Sequence, residues 1–114
     1  MPTVDIADET YVAVAPEALA PLLTAPSLLD DWFPAVRFEV FMDRAEKGTR
    51  WSVTGEIEGS MEVWLEPMAA GTLVHWFVRG EPGLGKQVAS RYTDLLNARM
   101  FAFKDEAEQR GSRT

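Results

Sequence analysis

Arg99 is the residue whose type fits its position least well. It falls within the apolar stripe of a C-terminal segment, between Leu95, Leu96 and Phe103. A guanidinium in a low-dielectric interior needs a partner. Arg99 either holds a ligand carboxylate or phosphate, or makes a structural salt bridge or extends its head into water. His75 is the only histidine. An imidazole can act as acid or base, but no nucleophile or ligand cluster accompanies it. It alternates with Trp76, so an inward Trp76 makes His75 a surface residue. Glu62 and Glu66 share one strand face around Trp64, and Glu56 and Glu58 form a similar pair. Paired carboxylates can serve glycosidic chemistry, yet both pairs are expected on a convex, wet face. The run Gly80-Glu81-Pro82-Gly83-Leu84-Gly85-Lys86-Gln87 matches a phosphate loop up to its last residue. Gln87 stands where a Ser or Thr would hold magnesium, and no acidic partner strand or βαβ unit surrounds it. No catalytic residue is assigned.

The absence of cysteine removes thiol catalysis, disulfides and zinc–thiolate sites, and one histidine is too few for a zinc centre. Neither a metal nor a cofactor is expected. The chain of 114 residues carries 18 acids against 11 bases, a net charge of −7. Such a surface repels phosphate backbones and anionic membranes, so no nucleic-acid partner is expected. No apolar run approaches the roughly 20 residues of a membrane helix, so stable membrane insertion is not expected. The start, Met1-Pro2-Thr3-Val4-Asp5, shows neither a basic segment nor an apolar stretch of a secretory signal, which leaves cytoplasm as the default compartment. With 46% hydrophobic and 25% charged residues, the composition is that of one globular domain over residues 1–114.

These side chains must be positioned by elements readable from periodicity. Val4 to Val14 reads as a strand that stops at Ala15-Pro16. Pro16 to Leu23 reads as a short helix disturbed by Pro21. Ser27 caps a second short helix through Trp32, which Pro34 ends. Arg37–Arg44, Thr49–Thr54, Ser60–Pro67 and Thr72–Arg79 alternate as strands. Ala45-Glu46-Lys47-Gly48 and Met68-Ala69-Ala70-Gly71 join two of the pairs. Gly55 to Gly59 is either a turn or a bulged continuation. From Leu84 to Gln109 the period becomes 3.6, with Val88, Tyr92, Leu95, Leu96, Arg99, Met100, Phe103 and Ala107 in one stripe. Consecutive strands with short loops pair antiparallel. The one long helix can bury its stripe only against that sheet, which twists around it. The fold class is α+β, a curved antiparallel sheet of about five to six strands around a long C-terminal helix.

This order resembles the helix-grip superfamily: the START domains, the birch-pollen-allergen-like proteins and the polyketide cyclase/dehydrase-like proteins. Four stretches carry the resemblance. They are Val12-Ala13-Val14-Ala15-Pro16-Glu17; Trp32-Phe33-Pro34; Glu62-Val63-Trp64-Leu65-Glu66-Pro67 with Gly71-Thr72-Leu73-Val74-His75-Trp76; and the terminal helix with Leu96, Phe103 and Lys104-Asp105-Glu106. They look most like the short actinobacterial-type branch of the cyclase-like proteins. The resemblance implies a ligand cavity between the concave sheet face and the last helix, reduced or collapsed here because the sheet is smaller.

The inner face is expected to carry Val12, Val40, Trp51, Val53, Met61, Val63, Val74, Trp76 and Val78. Trp51, Met61, Val63, Trp76, Tyr92, Leu96, Arg99 and Phe103 are the candidate cavity residues, with plain core packing as the alternative. The implied function is binding of a small apolar or aromatic molecule, such as a lipid, polyketide or isoprenoid. One alternative is a cyclase or dehydratase using Arg99, Tyr92, Thr10 and Tyr11 to orient an enol or carbonyl. Another is an interaction module with a filled core. Phe41, Trp64, Phe77 and Phe101 are expected to face outward, and a patch of them would make a homodimer.

Overall fold

The computed structural model describes residues 4–82 and 88–111. The elements are β1 (Val4–Val12), α1 (Pro16–Leu23), α2 (Pro26–Trp32), β2 (Val36–Asp43), β3 (Gly48–Gly55), β4 (Ile57–Met68), β5 (Gly71–Pro82) and α3 (Val88–Gly111). They form one five-stranded sheet in the order β1-β5-β4-β3-β2, antiparallel at every step. The α+β class, the curved sheet, the two short helices after the first strand and the long last helix are as expected from the sequence.

Boundaries shift for local reasons. α2 begins at Pro26 rather than after a Ser27 cap, because a proline with its fixed φ suits the first helical turn. β1 stops at Val12, after which the Val14 N–H turns back to the Val12 carbonyl and the Thr72 hydroxyl donates to the Val14 carbonyl at 2.7 Å. The ambiguous Gly55–Gly59 stretch divides: Gly55 closes β3, and β4 starts at Ile57. Between β2 and β3, Ala45 takes a positive φ of 57° and its N–H bonds the Asp43 carboxylate at 2.8 Å. Gly48 ends this turn at φ 113°, where a Cβ would sit 1.9 Å from the Val63 carbonyl oxygen. The predicted helix start at Leu84 and the phosphate-loop-like residues Gly83 to Gln87 lie outside the described residues.

The concave face buries Val12, Trp51, Val53, Met61, Val63, Val74, Trp76 and Val78, as their alternation predicts. Val40, opposite Trp51, is the exception at 61% exposure, because β2 is the edge of the sheet. The β2–β3 register steps from Val40–Trp51 to Met42–Arg50 and leaves Phe41 as an extra residue. That bulge bends the strand locally. The stripe of α3 buries Val88, Tyr92, Leu96, Met100 and Ala107 against this face, with Leu95 and Phe103 at its margins. Lys104 ties the helix to the end of β1 by donating to the Tyr11 carbonyl at 2.6 Å and to Glu108 at 2.8 Å, and Glu108 accepts the Ala13 N–H at 2.8 Å. Among the described residues no helix is long and apolar enough to cross a membrane.

Candidate functional site

The hollow between sheet and α3 is occupied by rings. Trp51 stacks on Trp76 with centroids 6.1 Å apart. Trp32 and Phe33, from the end of α2, approach Trp76 at 5.9 and 6.2 Å, and Phe33 meets Tyr92 at 5.6 Å. The Trp76 indole N–H points at the Met100 sulfur, 3.2 Å away. Met61, Val63 and Leu96 close the remaining space and are fully buried. Six of the candidate cavity residues (Trp51, Met61, Val63, Trp76, Tyr92 and Leu96) are therefore brought together, as a packed core. Trp51 and Tyr92 also reach two small openings of about 150 Å³ each. That is below the roughly 300–1,000 Å³ usual for ligand sites.

A larger opening lies between the two short helices and α3. α1 and α2 lean against the C-terminal half of α3 and leave a groove of about 460 Å³. Leu22, Ala25, Leu28, Trp32, Phe103 and Ala107 give it apolar walls. Trp32 and Phe103 meet edge to face at 6.3 Å, so the groove shares one wall with the core. Ser27, Asp31, Glu106 and Arg110 form the polar rim. Arg110 is held by Glu106 at 2.7 Å, and Asp31 faces Arg99 at 3.8 Å. Ser27 has no side-chain partner among the described residues. Of the sequence candidates only Phe103 lines this groove. Leu22, Ala25, Leu28, Trp32 and Ala107 were not distinguishable as site residues by periodicity. The available signal was an excess of apolar side chains on the short helices, since Leu19, Ala20, Leu23, Leu29 and Trp32 already fill their buried faces.

Solved structures share this architecture. The Aha1 dimer of Colwellia psychrerythraea superposes with a TM-score of 0.72 at 16% identity, over 92% of this chain and 96% of that one. DR_A0006 from Deinococcus radiodurans gives 0.72 at 18% identity, over 93% and 98%. The chain has the helix-grip fold. CalU16 from Micromonospora echinospora aligns with a TM-score of 0.60 at 13% identity, over 92% of this chain and 83% of that one. No family model and no curated protein matches the sequence.

Within this helix-grip fold, the groups considered for enol or carbonyl chemistry do not converge. Arg99 is not enclosed in the stripe: its side chain is 46% exposed and its head reaches Asp31. It sits at the exposed margin of the stripe, opposite Asp31 of α2, where the charge meets water. Tyr92 is turned to Glu56; burial first, then the hydrogen bond to Glu56 and its charge, push the phenol well above its ordinary value. Thr10 bonds Asp8 at 3.3 Å, and Tyr11 lies under the Lys104 ammonium.

His75 is on the convex face, but it is buried rather than on the surface. Trp64 stacks on its ring at 4.3 Å and Phe77 flanks it at 6.1 Å. Glu66 lies 3.0 Å from Nε2 and Glu9 3.6 Å from Nδ1. Of the four glutamates expected on a wet face, Glu58 is exposed and the other three are engaged, Glu66 with His75. Glu62 pairs with Arg50 at 3.1 Å and Arg44 at 3.5 Å, and Glu56 with Arg91 at 2.6 Å. Phe41 and Phe101 are exposed as expected, whereas Trp64 and Phe77 are half-buried around His75. The four aromatics do not form one patch.

Proposed function

We propose that the protein binds a small, uncharged apolar or aromatic molecule in the groove between α1–α2 and the C-terminal half of α3. The observation that carries this reading is the groove itself, about 460 Å³ with apolar walls. Its volume falls in the usual range of ligand sites, and a few polar groups at the mouth are what such sites use for orientation. The rim cation Arg110 already faces Glu106, and the rim carboxylate Asp31 faces Arg99 beside the groove. A ligand carboxylate or phosphate would have to displace one of these carboxylates, which favours a neutral occupant. Ser27 supplies a hydroxyl for one hydrogen bond. Lipid, polyketide and isoprenoid skeletons all fit this description.

The test is titration with N-phenyl-1-naphthylamine, a neutral probe whose emission rises in apolar surroundings. Saturable one-to-one binding is expected. Leu28→Glu, which puts a charge in the wall, and Ala107→Phe, which fills the floor, should each weaken it at least tenfold, about 1.4 kcal/mol. Absence of saturable binding, or binding that both folded variants leave unchanged, contradicts the proposal. The packed hollow favours a second reading, an interaction module that holds no ligand, and that reading expects no saturable binding.

A further inference from the structure

β2 is one edge of the sheet, paired with β3 alone. The Glu56 N–H donates to the Ala35 carbonyl at 3.0 Å. In an antiparallel ladder this makes Val36 and Gly55 a non-hydrogen-bonded pair, and Arg37–Thr54 and Glu39–Ser52 the hydrogen-bonded ones. The N–H and C=O groups of Phe38 and Val40 consequently point away from the sheet. Free backbone groups along an edge are a template for another strand, and natural edges are usually blunted by an early bulge, a proline or an inward charge. Val36 to Val40 has none of these, since the bulge comes only after Val40. Val40 and Phe41 are 61% and 65% exposed there.

The side chains on this edge complement themselves. Arg37 and Glu39 lie together on the convex face, both exposed, and neither has a partner among the described residues. Asp43, the other acid of the strand, already accepts the Ala45 N–H. Consider a second copy laid antiparallel along β2 with a two-fold axis at Phe38. Arg37 of each copy then opposes Glu39 of the other, in non-hydrogen-bonded pairs where side chains come closest. Phe38 meets Phe38, and Val36 meets Val40. The Phe38 groups bond across the axis, and the Val40 N–H finds the Val36 carbonyl of the other copy. A two-fold contact of this kind is closed, because one patch satisfies itself.

We propose that the protein self-associates through β2, joining two copies into one continuous antiparallel sheet centred on Phe38. A single strand pair buries less than the roughly 1,600 Å² of a standard interface, so the association is weak and appears at high concentration.

Sedimentation equilibrium of the full chain up to about 1 mM tests it, with a dimer expected in the upper range. Arg37→Glu alone sets carboxylate against carboxylate on both sides of the axis, and Glu39→Arg sets cation against cation. Each should weaken the dimer about tenfold. The double variant Arg37→Glu with Glu39→Arg reverses both pairs and should restore it. All these positions are exposed, so the fold is expected to be retained and can be verified by circular dichroism. A monomeric mass throughout, a dimer indifferent to either single swap, or a double variant that stays weak would overturn the proposal.

Discussion

Trp76 has no solvent exposure, and its ring touches Trp32 and Phe33 from the end of α2 and Trp51 from β3. Its N–H has only the Met100 sulfur, a weak acceptor, so the side chain is held chiefly by packing. Trp76→Ala should cost about 3–5 kcal/mol in urea unfolding, because a cavity of this size cannot fully collapse. Period-two alternation was enough to place Trp51, Met61, Val63 and Trp76 on the inner face. It was not enough for Arg99 or His75. A helical wheel shows that Arg99 lies at the stripe but not which side of the stripe a neighbouring helix leaves open. Alternation puts His75 on the outer face, yet its burial depends on Trp64 and Phe77 closing over it from the same and the adjacent strand.

At the scale of elements, one carboxylate joins the Lys104 ammonium in tying β1 to α3. Glu108 accepts from Lys104 and from the Ala13 N–H, and these bonds, the Lys104 one first, hold its pKa below the ordinary carboxylate value. A depressed folded value means the stabilisation is complete above the unfolded-state glutamate value and is lost as pH falls through the folded one. Lys104→Met should therefore raise the Glu108 midpoint in a carboxyl-detected NMR titration and shrink the part of the stability that is lost as pH falls below the unfolded-state glutamate value. An unchanged midpoint would show that the Lys104 contact is not maintained in solution. The order of elements was legible because proline, glycine and the change of period punctuate the chain. The bulge at Phe41 was not, since it depends on the β3 register and not on β2's own pattern; Val40, opposite Trp51 on the inner face, is exposed because β2 is the edge of the sheet.

At the scale of the molecule, a five-stranded sheet grips a 24-residue helix, and the space between them is taken up in part by side chains from the end of α2. Trp32 and Phe33 were readable as the close of the two-helix segment. Their insertion between Trp76, Tyr92 and Phe103 is a tertiary event with no local signature. The accessible volume lies instead between α1–α2 and the C-terminal half of α3. The groove arises from how three helices meet, which a single chain's periodicity does not encode. The proposed binding volume lies beside α3 and not beneath it. A methyl and amide NMR titration of the full chain with N-phenyl-1-naphthylamine tests this. Shifts and probe contacts are expected at Leu22, Leu28, Phe103 and Ala107, with Met61, Val63 and Leu96 unmoved. Probe contacts at Met61, Val63 and Leu96 would contradict it, because they would put the ligand inside the hollow.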